Sequence, residues 1–299
     1  MCELVSAMIL GGIVVLLVPC FAVPSGRHVW AVSDGEKVKR DALDSSFRAC
    51  NSVWDGQKIS LFAARNEIVA FQVIAEAGEA PIKSLSASLD GIMLEGGSAG
   101  IRYAPSAPDP SDYVGRHIQL FTVNYLNVTS PSRAWWTFVP GSAAAPKDPL
   151  GWTPVQLVPE SATGGRGGFP VTVVAGANQA LWIEIYVGRA LSAGIYRGDV
   201  KVNIDGETVS VPLELEVLDF TLSDENSIDA MVYFEPFQVK LYQGRELDAV
   251  YHRFAHRQRI ELVNVYSKEA VRENAGRLSA EGAYLCGKLI FAIIRNNPE

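Results

Sequence analysis

The stretch Asn178–Phe220 alternates apolar and polar residues through three successive runs, which is the period of a strand with one buried face. The pair Asp205-Gly206 separates the last two runs and suits a two-residue type I′ turn, because both residues accept a positive φ. With that turn, Val202 faces Val209 and the apolar side chains fall on one face. The stretch therefore predicts three antiparallel strands of a β-sandwich.

Two strings in this stretch resemble a known family. Gln179-Ala180-Leu181-Trp182 and Ala193-Gly194-Ile195-Tyr196-Arg197-Gly198 resemble the Q-x-L-W and A-G-x-Y-R-G strings of the sandwich that precedes the barrel in glycoside hydrolase family 123. Ala64-Arg65-Asn66-Glu67, followed by Phe71-Gln72, resembles the string that joins two strands of that sandwich. The resemblance implies an accessory sandwich, a catalytic (β/α)₈ barrel and substrate-assisted action on N-acetylgalactosaminides.

Four further segments alternate in the same way and predict strands: 28–32, 59–75 with a break at 65–67, 85–89 and 116–128. Arg65 and Glu67 fall at the break. We interpret them as members of surface or inter-strand ion pairs, and not as catalytic groups.

The segment 129–168 has little regular pattern and predicts loops. It contains Trp135, Trp136 and Trp152, and 151–159 resembles a loop of the same family. An aromatic-rich loop can stack on the C–H face of a sugar ring, which would make these tryptophans substrate-binding residues. The alternative is that they cover one end of the sandwich. The run 164–168, Gly-Gly-Arg-Gly-Gly, lacks the Lys-Ser/Thr ending of a phosphate-binding loop and predicts a flexible loop.

The pattern changes after Phe220. A polar boundary precedes a strand over 228–234, a helix over 246–258 and a strand over 260–266, which indicates a new α/β unit. Tyr233-Phe234-Glu235-Pro236-Phe237 partly resembles the string that ends the family's first barrel strand. Since barrel active sites form at the carboxyl ends of strands, we expect Tyr233 and Glu235 to line the substrate site of a complete relative.

The predicted fold class is therefore mainly β: an antiparallel β-sandwich over residues 23–222, followed by an incomplete, TIM-barrel-like α/β segment over 223–299. A full barrel needs roughly 250 residues, so the segment supplies two βα units at most. We expect it to be marginally stable alone.

Neither a metal nor a cofactor is expected. His252 and His256 have the spacing of zinc ligands on a helix, but Arg253 stands where a zincin motif has Glu. Cys50 and Cys286 lack metal-ligand spacing and either pair with each other or remain thiols.

No catalytic residue is assigned. The acidic pair Asp224-Glu225 precedes the first predicted barrel strand, so the chain lacks the carboxylates that glycoside hydrolysis needs. Two functions remain open. The chain is either the inactive amino-terminal part of a secreted N-acetylhexosaminidase-like hydrolase or a stand-alone carbohydrate-binding or structural sandwich. In both, the expected partner is a glycan or polysaccharide.

Residues 1–22 form a short apolar run that ends in Cys20 and Ala22, typical of a cleaved signal peptide. The chain is expected outside the cytoplasm: secreted, periplasmic or at the cell surface. An uncleaved signal segment would be its only membrane contact. The net charge of −7 argues against nucleic acid as a partner.

Overall fold

The fold is taken from a computed structural model of the chain. It describes residues 26–105, 116–130, 150–223, 231–257 and 260–263. Trp135, Trp136, Cys286 and residues 1–22 lie outside these ranges, so the predictions made for them stay predictions.

The described residues form fourteen strands, two α-helices and a short 3₁₀ helix at Ser46–Arg48. The strands are β1 (His28–Ser33), β2 (Ile59–Arg65), β3 (Glu67–Glu76), β4 (Ile82–Ser88), β5 (Gly91–Leu94), β6 (Gly100–Arg102), β7 (Ile118–Val128), β8 (Gly151–Pro159), β9 (Val171–Val173), β10 (Asn178–Val187), β11 (Gly194–Ile204), β12 (Glu207–Thr221), β13 (Met231–Tyr233) and β14 (Glu261–Val263). The helices are α1 (Pro236–Gln243) and α2 (Asp248–Arg257).

Two sheets face each other across one core. Sheet 1 has the order β1-β3-β10-β7-β8 and is antiparallel throughout. Sheet 2 has the order β2-β12-β11-β4-β9, and β5 and β6 extend it from β11. Apolar side chains of both sheets, such as Phe71, Ile183 and Leu213, belong to a single buried cluster. This confirms a mainly β fold. Sheet 2 is mixed, however, because β2 and β12 run parallel, whereas only antiparallel pairing was predicted.

The predicted hairpin is confirmed. β11 pairs with β12 in the register that places Val202 opposite Val209 and Val200 opposite Val211. Asp205 and Gly206 have φ values of +55° and +95°. The side chain of Asp205 ties the turn to β4, because its Oδ1 accepts hydrogen bonds from the backbone N–H groups of Lys83 at 2.8 Å and Ser84 at 2.9 Å.

The consecutive strands β10 and β11 belong to different sheets. β10 belongs to sheet 1, whereas β11 belongs to sheet 2, so the glycine-bounded turn after β10 crosses from one sheet to the other. The break at 65–67 is a second crossing, from β2 to β3, made through Asn66 at a φ of +62°.

The residues flanking this second crossing bond to different partners. Arg65 forms an inter-strand ion pair with Asp219 of β12 at 3.1 Å. Glu67 accepts a hydrogen bond from the backbone N–H of Ala64 at 2.7 Å, which closes the turn.

The segment 151–159 is a strand, so the prediction of a loop there is wrong. It forms β8 at the edge of sheet 1 and pairs with β7. Pro154 and Pro159 lack backbone N–H donors and are therefore untypical of strands. An edge strand tolerates them, because one of its sides makes no hydrogen bonds to a neighbouring strand. The register shifts between Asn124 and Tyr125, opposite Pro154.

The segment between β1 and β2 lies against sheet 1 and bonds to buried polar residues. Glu76 is buried and accepts hydrogen bonds from the indole nitrogen of Trp30 at 2.9 Å and from Arg48 at 3.1 Å. Asn51 donates to the backbone oxygen of Ala31 at 2.7 Å. Although it forms no strand of its own, this segment therefore packs on β1 and β3.

After the sandwich the chain forms a β-α-α-β unit. β13 and β14 pair in parallel, with Tyr233 opposite Val263, and α1 and α2 lie between them in sequence. The sequence predicted β13, α2 and β14 but missed α1. That helix begins at Pro236 and ends at Gly244, whose φ is +71°. Among the described residues this sheet has two strands only, so the TIM-barrel-like segment predicted for 223–299 is not shown there.

Candidate functional site

A cavity of about 480 Å³ opens where β7 and β10 meet the loop between β8 and β9. Its size lies within the usual range for small-molecule sites. The polar side chains that line it come from five separate parts of the chain: Arg40, Thr122, Asn124, Tyr125, Arg166, Thr172 and Gln179.

The glycine-rich loop forms one wall of this cavity. Gly165 and Gly167 have φ values of +78° and +100°. A Cβ on Gly168 would lie 1.7 Å from the backbone oxygen of Ala162, so only glycine fits there. The predicted loop is thus a compact pair of turns, held by the hydrogen bond from Arg166 N to Thr163 O at 2.9 Å.

The start of this loop is anchored by a half-buried carboxylate. The backbone oxygen of Glu160 accepts a hydrogen bond from Phe169 N at 2.8 Å, which closes the loop. The side chain of Glu160 accepts hydrogen bonds from Tyr103 at 2.9 Å and from Arg116 at 3.3 Å. Burial raises the pKa of Glu160, although the hydrogen bond from Tyr103 and the charge of Arg116 oppose the rise.

The cavity carries positive charge. Arg40 and Arg166 both line it, and neither has an acidic side chain within ion-pair distance among the described residues. The guanidinium of Arg40 lies over the ring of Trp152, 4.7 Å from its centroid. This cation–π contact holds Arg40 in place while leaving its charge uncompensated.

Hydroxyl and amide groups complete the lining. Thr122 is 5% exposed, and its Oγ1 has no hydrogen-bond partner among the described residues. Gln179 donates from Nε2 to the backbone oxygen of Val123 at 2.8 Å, which fixes its amide. Tyr125 Oη accepts a hydrogen bond from Ala180 N at 3.2 Å, and burial raises the pKa of Tyr125 to about 12. The tyrosine is therefore neutral at ordinary pH.

Of the tryptophans predicted to bind sugar, the structure describes Trp152. It lies half-buried in β8, and its backbone oxygen accepts a hydrogen bond from Arg40 N at 3.3 Å. Trp152 thus sits beside the cavity through Arg40, without lining it.

Tyr233 and Glu235 lie together at the carboxyl end of β13. The hydroxyl of Tyr233 donates a hydrogen bond to Glu235 Oε1, and both side chains are exposed. Glu235 also stands at the N-cap position of α1. The arrangement presents one carboxylate and one phenol on the same edge of the parallel pair.

Sequence reasoning did not identify the cavity residues Arg40, Thr122 and Gln179 as a site. They are distant in sequence, and each has an ordinary local context. The one signal in the sequence was Arg166, which stands between two pairs of glycines. Glycines at 165 and 167 adopt positive φ values and so fix the backbone on both sides of this charged residue.

Among the described residues, no group of three or more His, Cys, Asp or Glu side chains is arranged to hold a metal ion. His252 is buried, with its ring edge against Phe234 at 5.6 Å between centroids. Within the same ranges, each helix is too short or too polar to cross a membrane.

In comparisons with known proteins, no family model matches the chain. No curated protein matches it either. The structure is similar to that of a family 123 glycoside hydrolase from Clostridium perfringens, described in connection with glycolipid glycan hydrolysis, at a TM-score of 0.52 and 12% identity. The match covers 78% of this chain and 34% of the hydrolase, so this chain spans about a third of that protein's length. At this identity the likeness establishes a shared fold.

Two weaker likenesses involve other bacterial proteins. A protein described as membrane-anchored from Corynebacterium diphtheriae matches 67% of this chain and 37% of its own length, at 14% identity and a TM-score of 0.26. The CooA pilin subunit of enterotoxigenic Escherichia coli matches 64% of this chain and 98% of its own length, at 11% identity and a TM-score of 0.24. Both are too distant to support an argument.

Proposed function

We propose that the chain is the amino-terminal part of a secreted, N-acetylhexosaminidase-like glycoside hydrolase. In this proposal residues 1–22 are a signal peptide, 23–222 an accessory β-sandwich and 223–299 the start of a (β/α)₈ barrel. The chain alone has no hydrolytic activity, because the barrel that would carry the catalytic carboxylates is incomplete.

The observation that carries the proposal is the order of the elements. A mainly antiparallel sandwich is followed by a parallel β-α-α-β unit, and the chain shares its fold with a family 123 hydrolase over 78% of its length. Parallel pairing across intervening helices is the unit from which (β/α)₈ barrels are built.

The surface of this unit supports the same proposal. Val232, Phe237, Leu241 and Tyr242 are exposed large apolar side chains on β13 and α1. Such a concentration is unusual on a finished surface, and adjoining βα units of a barrel would cover it. Tyr233 and Glu235 then lie on the edge of the sheet where barrel active sites form, and we assign them to the wall of the substrate site.

Sequencing the gene beyond the codon for Glu299 tests this proposal directly. We expect the reading frame to continue with roughly 180 or more codons of alternating strand and helix pattern, enough to complete a barrel. An acidic pair should follow a later strand. A frame that continues with an unrelated fold would overturn the proposal.

Hydrolysis of aryl N-acetylgalactosaminides by residues 1–299 and by the extended chain provides the second test. Only the extended chain should release the aryl group, and Glu235→Gln in it should raise KM more than it lowers kcat. Hydrolysis by residues 1–299 would contradict the assigned inactivity.

A stand-alone carbohydrate-binding sandwich is the second candidate function. The observation that favours it is Trp152, whose half-buried ring stacks on Arg40 beside a polar cavity on the sandwich itself. Affinity electrophoresis through gels that contain host or plant glycans would detect it. If the Trp152→Ala and Trp152→Phe variants are retained as well as the parent, Trp152 is not a sugar platform.

A further inference from the structure

The cavity beside the glycine-rich loop concentrates positive charge on an acidic protein. The chain carries a net charge of −7, yet Arg40 and Arg166 both reach this one cavity without an acidic partner among the described residues. Asp41, the acidic neighbour of Arg40 in sequence, is exposed and is not part of the lining. Two uncompensated guanidinium groups in a concave site attract an anion, and their planar forks suit a carboxylate or a sulfate.

The second observation is a buried hydroxyl without a partner. Thr122 Oγ1 is buried and has no hydrogen-bond partner among the described residues, and Thr122 is one of the residues that line the cavity. A buried polar group in this state destabilises the protein unless a ligand or an ordered molecule completes its hydrogen bonding. An occupant that donates or accepts a hydrogen bond at this wall of the cavity would complete the bonding of this hydroxyl.

The remaining lining indicates what else the occupant carries. Asn124 and Gln179 supply amide groups, and Tyr125 supplies a phenol that stays protonated to about pH 12. Groups of this kind bind hydroxyls as donors and as acceptors. A volume of about 480 Å³ is larger than a simple ion needs and accommodates a sugar ring or two.

The geometry points to a binding site for an anionic sugar, one that bears a carboxylate or a sulfate, with Arg40 and Arg166 on the acidic group and Thr122, Asn124 and Gln179 on the hydroxyls. The site lies on the sandwich, apart from Tyr233 and Glu235. It does not rest on the proposed hydrolase, and a binding assay and a hydrolysis assay can fail independently of each other.

Isothermal titration of the full chain with four sugars tests the proposal. The probes are glucuronic acid and a sulfated N-acetylglucosamine, and the matched neutral sugars are glucose and N-acetylglucosamine. We expect each acidic sugar to bind at least about tenfold more tightly than its neutral counterpart, with an affinity that falls as salt is added. Equal affinities or no binding would overturn the proposal, and a preference for one acidic sugar identifies the acidic group.

Inorganic sulfate distinguishes a sugar site from an anion site. The sulfated sugar should bind at least several-fold more tightly than sulfate alone, because only the sugar reaches the hydroxyl and amide groups. Equal affinity would reduce the cavity to a simple anion site and overturn the sugar assignment.

One arginine variant and its matched control locate the site. Arg166→Gln, at an exposed position, should weaken binding of the acidic sugars about three- to tenfold without unfolding the protein. Arg102→Gln removes the same charge at an exposed position outside the lining and should leave binding unchanged. Equal effects of the two would mean that only net charge matters, which contradicts the proposal.

Thr122→Val gives the sharpest readout. Valine has nearly the shape of threonine without its hydroxyl, so the free protein should be as stable as the parent or more stable, while sugar binding weakens. A variant that binds as tightly as the parent would exclude Thr122 from the site, and a destabilised one would show that its hydroxyl is bonded within the protein.

Discussion

Tyr103 Oη donates a hydrogen bond of 2.9 Å to Glu160 Oε1, and this bond joins the end of β6 in sheet 2 to the end of β8 in sheet 1. The bond lies at the start of the glycine-rich loop that forms one wall of the cavity. The same carboxylate accepts a hydrogen bond from Arg116, so one half-buried group ties three segments together.

Removing the hydroxyl in Tyr103→Phe should lower the free energy of unfolding by about 1.5 to 3 kcal/mol, the usual range for a hydrogen bond to a charged group. Urea unfolding followed by fluorescence measures it. Tyr242→Phe is the matched control, because Tyr242 is 79% exposed, and it should change nothing measurable. Equal stabilities of the two variants would remove the structural role assigned to Tyr103.

The stability of the sandwich should fall as pH rises from 10 to 12. Burial raises the pKa of Tyr103 to about 12, and the charge of Glu160 and its hydrogen bond add to the rise. Burial also raises the pKa of Tyr125 to about 12. Tyrosines in the unfolded chain ionise near 10, so the unfolded state loses its protons first and is favoured in this range. The slope of unfolding free energy against pH should be shallower in Tyr103→Phe, and an unchanged slope would contradict the assignment.

Arg48 and Glu76 should respond unequally to substitution. The side chain of Glu76 is 3% exposed, whereas that of Arg48 is 41% exposed. Arg48→Met leaves a buried carboxylate without its counter-charge and should cost about 3 kcal/mol. Glu76→Gln keeps an acceptor for Trp30 and lets Arg48 turn to water, so it should cost about 1 kcal/mol. Thermal denaturation of both variants measures the difference, and the reverse order would show that the ion pair does not govern this site.

Gly206 should be intolerant of alanine for conformational reasons alone. Its φ is +95°, yet a Cβ there would meet nothing within 4 Å. Gly206→Ala should therefore cost about 1 to 2 kcal/mol, the penalty of the left-handed backbone. Gly164→Ala is the control, since Gly164 has the same open surroundings without a positive φ, and it should be neutral or slightly stabilising. Similar costs in equilibrium unfolding would argue against the turn geometry.

The sandwich should fold without the residues that follow it. A chain that ends at Ser223 keeps the whole buried cluster, whose last member is Val217, and its unfolding free energy should stay within about 0.5 kcal/mol of the parent sandwich. A chain that ends at Phe220 loses the hydrogen bonds from Arg65 Nε to Thr221 at 3.0 Å and from Leu222 N to Arg65 O at 2.9 Å. It should be less stable by about 2 kcal/mol. Aggregation of the longer of these two chains would show that the boundary lies elsewhere.

The parts of the fold that local chemistry determines could be predicted from the sequence. The hairpin of β11 and β12 follows from alternation and from Asp205-Gly206, which also predicted that Val202 faces Val209. The strand β8 could not be predicted, because Pro154 and Pro159 are untypical of strands. Only the structure shows that β8 lies at the edge of sheet 1 beside β7, where proline is tolerated. The helix α1 was missed, although Pro236 and Gly244 mark its two ends.

The candidate site was predictable in smaller part. Tyr233 and Glu235 were placed at the carboxyl end of a strand from one short string, and they lie there. The cavity depends on tertiary contacts between a loop, two strands and Arg40, which no local pattern encodes. Its glycine-rich wall was visible in the sequence, but its position beside Thr122 and Gln179 was not.

The parallel pairing of β2 with β12 has a consequence for how the molecule assembles. Ile59 lies opposite Leu213, so the ladder of β2 is made by residues about 150 positions later in the chain. Contacts of such long range slow folding, because a large loop must close before they contribute. Nearly the whole sandwich has to be synthesised before its second sheet is complete. The chain therefore emerges with β2 unpaired, and the ladder of this strand forms only after β12 has been made.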